Sequence, residues 1–393
     1  MGAVFRVMNL QAIQQALAAE GLDGWLFFDH HGRDPLAYRV LGLPGRTATR
    51  RWYYLIPASG EPRGLAHSIE PLALGGLPGE VAKYSSWSAQ VEGLRRMLAG
   101  CRRIAMQYSP DCAIPYVAMV DAGTVELVRK AGVEVVSSAD LVQQFEARWT
   151  AANLEQHLSA GRRVDEIRRD AFRLVGEKLR AGATITEFAV KQYIRERFTA
   201  AGLVTDHGPI VGVNENSSDP HYEPQAGATR EIRKGDWLLI DMWAKADAPD
   251  GVYYDITWTG FCGAEPPARM VRVFEIVREA RDRAVRFVQE GAGRTLRGYE
   301  VDDVARGYIR EQGFGESFYH RTGHSIGTEV HGAGANMDNL ETHDERRIIP
   351  QTCFSIEPGI YLPEFGVRSE VNVFVGDDGA RVTGEAQERI VLV

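Results

Sequence analysis

The sequence lacks the features that mark disulfide-rich, membrane-spanning and exported proteins. Its four cysteines form no CxxC motif and no paired pattern, so neither a disulfide framework nor a cysteine zinc site is expected. No stretch approaches the roughly 18 apolar residues that a membrane-spanning helix requires. The first residues also lack the basic-then-apolar order of a signal peptide. These absences predict a protein of the reducing cytoplasm.

The chain has no excess of positive charge. It carries 45 Lys and Arg residues against 53 Asp and Glu residues, which gives a net charge of −8. Such a chain does not attract nucleic acid or anionic lipid electrostatically. Neither nucleic acid nor a membrane is therefore expected as a partner.

Length and pattern predict two domains. At 393 residues the chain exceeds what one core usually supports. Before residue 150, short apolar strands such as 24–28 and 52–56 alternate with helical stretches such as 89–98, which is typical of an α/β domain. After it, two helices precede a group of strands, and this order occurs twice. We predict an α/β domain over 1–150 and a domain of two similar halves over 151–393.

Apolar residues at helical spacing mark the helices of the second domain. One stripe runs from Val164 to Val175. Thr184 and Glu187 form a predicted capping box that opens the second helix. A third stripe covers 273–287, and a fourth helix is predicted over about 300–312.

Two aspartates lie on a predicted hairpin of this domain. Asp241 follows the apolar run 237–240, which is typical of a buried strand, and Asp255 lies on the next strand-like run. The Pro and Asp-Gly residues of 247–251 predict the turn between them. Two carboxylates on neighbouring antiparallel strands can face one another within reach of a shared ligand.

Two glutamates and a histidine complete the candidate ligand set. Glu357 and Glu370 lie on a second predicted strand pair, and His324 lies between glycines that let the backbone bring an imidazole close to a metal. Two divalent cations about 3.5 Å apart repel strongly, and only several carboxylates can offset that repulsion. The set therefore predicts a site for two metal ions.

The local sequences resemble those of the pita-bread-fold metallopeptidases, the superfamily of methionine aminopeptidases, Xaa-Pro aminopeptidases and Xaa-Pro dipeptidases (prolidases). The resemblance covers essentially the whole chain. It is carried by Ile240-Asp241, Asp255-Ile256-Thr257, Gly323-His324 with Gly327 and His331, Glu357-Pro358-Gly359-Ile360-Tyr361, and Val367-Arg368 with Glu370. It implies an α+β fold, in which a C-terminal pita-bread domain with pseudo-twofold halves follows a smaller creatinase-like α/β domain.

The resemblance also implies how the ligands divide. Asp241 and Asp255 would hold one metal and share the other. His324 and Glu357 would complete the second site, and Glu370 would bridge the pair. Manganese is the favoured metal because the set is rich in carboxylates, although mixed oxygen and nitrogen sites also accept cobalt, zinc and iron.

Three further residues match family positions. His221 would hydrogen-bond the substrate or the tetrahedral intermediate, and His331 matches the family's second histidine. Arg368 matches an arginine that meets the substrate's C-terminal carboxylate in dipeptide-cleaving members, a role that suits a planar bidentate donor. The structural alternatives are a capped loop for His221, a strand-end hydrogen bond for His331 and an ion pair with a ligand glutamate for Arg368.

The expected chemistry is hydrolysis of the Xaa-Pro bond in dipeptides. A water that bridges two cations becomes a hydroxide near neutral pH and attacks the scissile carbonyl. Glu357 is the candidate general acid/base, and His221 and His331 assist. The imide nitrogen of proline carries no N–H, so a dedicated site must recognise the ring shape and the free terminus. An Xaa-Pro aminopeptidase that acts on longer peptides is the alternative.

Three departures from the family pattern concern substrate specificity. Gly332 stands where an acidic residue often follows the second histidine, and Trp258 stands where arginine is common. The spacing from Asp241 to Asp255 is also longer than is usual, which a longer hairpin turn absorbs. These changes leave the candidate ligands in place.

Two other functions remain to be weighed. The run from Gly323 to Gly327 fits the serine-hydrolase elbow G-x-S-x-G, with Ser325 as nucleophile, although a glycine-rich loop follows it where an elbow requires a helix. A non-catalytic peptide-binding protein would bind substrate without cleaving it.

In the N-terminal domain, which in this family often mediates dimerisation, the polar cluster from Asp29 to Asp34 is either a contributor to an active site or a solvated loop. A homodimer is expected.

Overall fold

The computed structural model describes residues 8–43, 48–291 and 295–393. The chain divides into two compact units, Met1–Glu146 and Ala147–Val393. Across the described ranges, no helix is both long enough and apolar enough to cross a membrane.

The N-terminal unit is built on one mixed sheet. Its strands are β1 (Gly24–Asp29), β2 (Trp52–Pro57), β3 (Arg63–His67), β4 (Glu80–Tyr84), β5 (Arg103–Met106) and β6 (Glu134–Ser137), in the spatial order β4-β3-β2-β1-β5-β6. Strand β1 pairs antiparallel with β2 and parallel with β5. The helices are α1 (Leu10–Ala19), α2 (Pro35–Leu41), α3 (Trp87–Met97), α4 (Ala122–Arg129) and α5 (Ala139–Val142). All residues of the two central strands β1 and β2 are buried, as expected for strands covered by helices on both faces.

The polar cluster of this unit is organised around Asp29. The Asp29 carboxylate accepts hydrogen bonds from the backbone N–H groups of Gly32, Arg33 and Asp34 at 2.9, 2.7 and 3.1 Å, and from the Tyr38 hydroxyl at 2.8 Å. A carboxylate used in this way closes a tight turn. The interpretation that this cluster contributes to an active site stays a prediction.

The second unit contains four long helices and eleven strands among its described residues. The helices are α6 (Ala151–Arg180), α7 (Glu187–Ala200), α8 (Ala268–Glu290) and α9 (Gly298–Glu311). The strands are β7 (Leu203–Val204), β8 (Ile210–Val213), β9 (Trp237–Ala246), β10 (Tyr254–Phe261), β11 (Ser325–Ile326), β12 (Thr352–Ile356), β13 (Gly359–Tyr361), β14 (Gly366–Arg368), β15 (Val371–Gly376), β16 (Gly379–Thr383) and β17 (Val391–Leu392). Short helical turns lie in this unit at Asn214–Ser218 and Gly315–Ser317, in the N-terminal unit at Pro110–Cys112 and Pro115–Val117, and at the sequence boundary of the two units at Gln143–Ala147.

The order of two helices followed by strands occurs twice, as predicted. In the first half α6 and α7 precede a sheet of order β17-β10-β9-β7, with β8 also paired to β9. In the second half α8 and α9 precede a sheet of order β11-β12-β15-β16 and the two-stranded β13-β14. Each half has its own apolar cluster, and a third cluster that includes Leu239 and Phe374 draws residues from both halves.

The predicted capping box of α7 is wrong. The N-cap is Thr186, whose side chain accepts from the backbone N–H of Ala189, and the helix starts at Glu187. Glu187 is fully buried and accepts hydrogen bonds from Val213 N at 2.8 Å and from the Tyr222 hydroxyl at 2.7 Å. A glutamate near an N-terminus matches the pattern of a capping box whether it turns back to the cap or, as here, inward to a neighbouring loop.

Candidate metal centre

The eight residues that the sequence singled out line one cavity of the second unit. The cavity has a volume of about 690 Å³. Its walls include the five candidate ligands and the three candidate substrate-binding residues, namely Asp241, Asp255, His324, Glu357, Glu370, His221, His331 and Arg368. These residues come from both halves of the unit, so the fold brings together groups that are far apart in the chain.

The hairpin β9-β10 places its two aspartates on one face. Asp241 pairs with Thr257, and Asp255 pairs with Trp243, so the two aspartates are diagonal neighbours and not directly opposite. Asp241 lies two residues from Trp243 along β9, and Asp255 lies two residues from Thr257 along β10. Side chains two residues apart along a strand share a face, and so do paired residues, so both aspartates project from the same face. Asp241 lies in the middle of β9 and not at its end, because β9 continues to Ala246.

His324 is held by the neighbouring strand. Its backbone N–H donates to the Ser355 hydroxyl at 2.9 Å, and its Nδ1 lies 3.1 Å from the Ser325 carbonyl. With Nδ1–H as the donor, Nε2 is left facing Asp255 Oδ2 at 3.5 Å and Glu357 Oε1 at 3.4 Å. The preceding Gly323 is required by this close approach, since a Cβ there would lie 1.9 Å from the Ser355 carbonyl oxygen.

The two glutamates lie between strand pairs: Glu357 connects β12 to β13, and Glu370 connects β14 to β15. Strand β12 ends at Ile356, which pairs with Val371 at the start of β15, so Glu357 and Glu370 adjoin the same end of the ladder. The Ser355 hydroxyl donates to Glu357 Oε1 at 3.0 Å, and the Thr257 hydroxyl donates to Glu370 Oε2 at 2.9 Å.

A side-chain amide connects the two halves behind the ligands. Asn372 accepts from the Asp255 N–H at 3.1 Å and donates to the Asp255 carbonyl at 2.7 Å. This pair of bonds extends the β10 backbone ladder across to β15. The position of Asp255 is therefore fixed relative to Glu370, which lies two residues before Asn372.

Burial and crowding make this carboxylate cluster electrostatically unfavourable by itself. Burial raises the pKa of Asp241 to about 7, although Arg368 opposes the shift. Burial, with repulsion from Asp255, raises the pKa of Glu370 well above its ordinary value. Burial also raises the pKa of Glu357, but the charges of His324 and Arg368 outweigh it and leave this pKa below its ordinary value. Carboxylates so placed are ionised together only when cations neutralise them.

The donor set fits divalent metal ions. Single ligand atoms of Asp255, His324 and Glu370 all lie within 4.8 Å of one another. Asp241 Oδ1, Asp255 Oδ1 and Glu370 Oε1 are buried and have no hydrogen-bond partner within the described ranges. A buried, unpartnered carboxylate oxygen is costly, and a hard cation is the ligand that it suits.

Arg368 is buried within the ligand set. Its guanidinium forms an ion pair with Asp241, and it donates to the Thr257 and Tyr361 hydroxyls at 3.0 Å each. Only 3% of the residue is exposed. Its Nε also lies 3.8 Å from Glu357 Oε2, so the predicted structural alternative of an ion pair with a ligand glutamate is present, together with the pair to Asp241.

The two candidate histidines differ in their surroundings. His331 meets the His324 ring edge-on at a centroid distance of 4.5 Å, and the charge of His324 together with burial lowers the pKa of His331 to about 3. His331 is therefore a neutral imidazole at physiological pH. His221 is exposed on the cavity wall, and its backbone N–H donates to the Asp219 carboxylate at 3.0 Å.

Several residues that shape the site were not predicted from the sequence. Glu187 also accepts from Asn216 at 3.0 Å and from the Arg230 N–H at 2.8 Å, so it anchors the segment that leads to His221. Thr257 and Ser355 orient the glutamates. Thr257 was noted as part of a motif and Ser355 was not, but no local signal in a single sequence distinguishes a hydroxyl that supports a ligand from one on an ordinary strand.

The serine-hydrolase alternative is contradicted by the geometry around Ser325. Ser325 lies on the short strand β11, and no helix follows it within the described residues before Thr352. Its hydroxyl is buried and accepts from the Gly334 N–H at 2.9 Å. A nucleophile elbow requires an exposed hydroxyl on a strand-to-helix turn, which Ser325 is not.

The duplicated α+β unit and its carboxylate-rich cavity are those expected of a hydrolase that depends on divalent metal ions. Comparison with known sequences identifies the family. The chain belongs to metallopeptidase family M24, whose sequence profile matches residues 157–377. The resemblance found in the motifs is thereby confirmed.

Individual relatives agree with this assignment. The chain is 32% identical to an Xaa-Pro dipeptidase from Lactobacillus delbrueckii subsp. lactis over 235 residues, which are 59% of this chain and 58% of that protein. It is 28% identical over 263 residues to a Mycobacterium tuberculosis protein named "Probable dipeptidase PepE", covering 67% of this chain and 65% of the relative. The alignments thus span less than two thirds of these relatives.

Solved structures cover nearly the whole chain. Dipeptidase PepE from Mycobacterium ulcerans has a TM-score of 0.72 and 25% sequence identity, covering 98% of this chain and 96% of that one. A recombinant prolidase from Thermococcus sibiricus has a TM-score of 0.64 at 23% identity, with 98% of each chain covered. The predicted pita-bread fold is confirmed.

Proposed function

We propose that the protein hydrolyses the Xaa-Pro bond of dipeptides, with two divalent metal ions held by Asp241, Asp255, His324, Glu357 and Glu370. The observation that carries this proposal is the convergence of five predicted ligands on one cavity in which three buried carboxylate oxygens have no partner within the described residues. Family membership and the names of the relatives support a peptidase. Manganese, a homodimer and a cytoplasmic location remain predictions from the sequence.

When bound, such ions polarise a substrate carbonyl and acidify the attacking water. In this proposal Glu357 accepts the proton from that water, and the supporting observation is that its Oε1 lies 3.4 Å from His324 Nε2 within the ligand set. It then delivers the proton to the departing proline nitrogen. The neutral His331 and the exposed His221 supply hydrogen bonds to substrate oxygen atoms from the cavity wall.

One observation favours the alternative of an Xaa-Pro aminopeptidase. Recognition of a dipeptide requires a cation for its C-terminal carboxylate, and Arg368 was the predicted candidate. In the structure this guanidinium is already occupied by Asp241, Thr257 and Tyr361. A longer peptide needs no such cation next to the scissile bond.

The deciding experiment is release of the product amine by metal-stripped protein, with and without added manganese, from Leu-Pro and from a Leu-Pro-Ala tripeptide. Metal-dependent release of proline from Leu-Pro supports the dipeptidase. Cleavage of the tripeptide alone supports the aminopeptidase. No cleavage of either by demonstrably folded, metal-loaded protein contradicts both.

A matched pair of variants separates the metal site from the serine alternative. Asp255→Asn keeps the size of the side chain but removes a negative ligand, so metal-dependent cleavage should fall by at least about 100-fold. Ser325→Ala should retain its activity. Loss of activity in Ser325→Ala together with normal activity in Asp255→Asn would reverse the assignment.

A further inference from the structure

A second cavity of the same unit contains a cluster of arginines that the proposed peptidase does not use. This cavity, of about 420 Å³, lies between one face of α6 and the strands β10 and β17. We call it the arginine groove and define it by Arg168, Arg169, Arg173, Arg180 and Trp258. None of its lining residues lines the candidate metal centre, among the residues described.

The floor of the groove holds buried donors that lack acceptors. Arg168 is only 2% exposed, and its guanidinium carbon lies 3.4 Å from the centroid of the Trp258 ring. Its Nη2 donates to Glu385 at 2.6 Å, whereas its Nε and Nη1 are buried without a hydrogen-bond partner in the described part of the chain. The indole Nε1 of Trp258 is likewise buried and has no hydrogen-bond partner among the described residues. A buried donor without an acceptor is unfavourable, so the floor is suited to an acceptor with several oxygen atoms.

The rim adds positive charge. Arg169 shares Glu385 with Arg168, and Arg173 pairs with Asp170 at 2.8 Å. Arg180 is exposed at the rim, and its side chain makes no ion pair or hydrogen bond with any other described residue. Four guanidinium groups thus line the groove, and Glu385 supplies the side-chain carboxylate among its lining residues. Outside the lining, Asp165 also pairs with Arg168 at 3.7 Å, and Asp170 pairs with Arg173.

A glycine directs Arg180 into the groove. The Arg180 Nη1 atom lies 2.9 Å from the position that a Cβ on Gly176 would occupy. The missing side chain therefore lets this guanidinium fold back along α6. Phe172 and Val391 supply an apolar wall beside it.

We propose that the arginine groove binds a small ligand that carries a phosphate group. A phosphate dianion has three terminal oxygens, enough for the unsatisfied donors of the floor and for Arg180 at the rim, whereas one carboxylate has two. The apolar wall accommodates the remainder of the ligand. This inference does not depend on the proposed peptidase activity.

The groove lies on the reverse side of a strand that serves the metal centre. Thr257 and Trp258 are consecutive residues of β10, so their side chains project from opposite faces. Thr257 supports Glu370, and Trp258 forms the floor of the groove. Binding at the two sites is therefore separable by single substitutions on either face.

Calorimetric titration of the full-length protein with inorganic phosphate tests the proposal, at constant ionic strength and with acetate as the comparison anion. We expect phosphate to bind more tightly than acetate, and Arg180→Ala to weaken its affinity at least tenfold. Arg168→Lys keeps the charge but removes the fork of donors, and it should weaken binding similarly. Arg162→Ala, an exposed arginine of the same helix that lies outside the groove, is the matched control and should bind normally.

Arg180 is exposed, so its replacement should leave the fold intact, which circular dichroism can verify. Phosphate binding that survives Arg180→Ala but disappears on metal chelation would place the anion at the metal centre and overturn the proposal. Absence of phosphate binding by the unmodified protein, or equal weakening by Arg162→Ala, would overturn it as well.

Discussion

The most quantitative prediction concerns His157 on α6, which is fully buried and contacts the residue that precedes β10. Its Nδ1 lies 2.6 Å from the Tyr253 carbonyl, and its Nε2 lies 2.6 Å from the Thr383 hydroxyl. The neutral ring satisfies both contacts, with Nδ1–H as donor and Nε2 as acceptor. Burial lowers the pKa of His157 from 6.5 to about 4.

The sign of the effect follows from proton binding. Between about pH 6.5 and pH 4 the unfolded chain binds a proton at this histidine and the folded chain does not, so stability falls as the pH falls. The contribution of His157 is complete above its unfolded pKa. From the two pKa values, the free energy of unfolding should drop by about 2 kcal/mol between about pH 7 and pH 5. For a unit of this size, that corresponds to a shift of roughly 6 °C in Tm.

A non-titrating variant isolates this contribution. The amide of His157→Gln can donate to Tyr253 and accept from Thr383, but it takes up no proton. Thermal unfolding of both proteins across the pH range should show a smaller loss of Tm for the variant, by roughly 6 °C. Equal losses would show that His157 does not titrate as argued, since all other groups are common to both proteins.

Three further predictions address the metal centre. Glu357→Gln should keep the fold but reduce Leu-Pro cleavage at least about 100-fold, measured with metal-saturated protein; a near-normal rate would remove Glu357 from the mechanism. Thr257→Val removes the hydrogen bond to Glu370 and should weaken metal affinity about tenfold in a calorimetric titration, whereas unchanged affinity would show that this bond does not orient the ligand. Glu187→Ala leaves several buried donors unpaired and should lower the free energy of unfolding by about 3 kcal/mol, with faster hydrogen exchange around Asn216; unchanged exchange there would contradict its role as an anchor.

The parts of the fold that could be predicted are those that depend on short-range pattern. The periodicity around Val164 and around Val277 indicated α6 and α8, and the Pro and Asp-Gly turn indicated the β9-β10 hairpin. Each of these signals arises from which side chains one face of an element buries. The family resemblance likewise identified eight of the residues that line the metal-centre cavity, because most of them lie in short motifs.

The features that the sequence did not predict depend on contacts between residues that are far apart in the chain. The capping-box interpretation of Glu187 failed because its hydrogen-bond partners lie 26 or more residues away, at Val213 and beyond. Arg368 was matched to a substrate-binding position, and the sequence could not show that its guanidinium lies against Asp241, which is 127 residues away. The arginine groove escaped because its two walls come from opposite ends of the second unit.

The alternation of side chains along β10 limits how this protein can tolerate insertions and deletions. Adding one residue inside the strand would turn Trp258 toward the cavity of the candidate metal centre and Thr257 toward α6, so a single event would impair both cavities. The turn over 247–251 lies outside the β9-β10 ladder, which runs from Ala244 opposite Tyr254 to Trp237 opposite Phe261. Length variation in this hairpin should therefore accumulate in the turn, where the unusually long spacing between the two aspartates is already accommodated, while the ladder itself keeps a constant length.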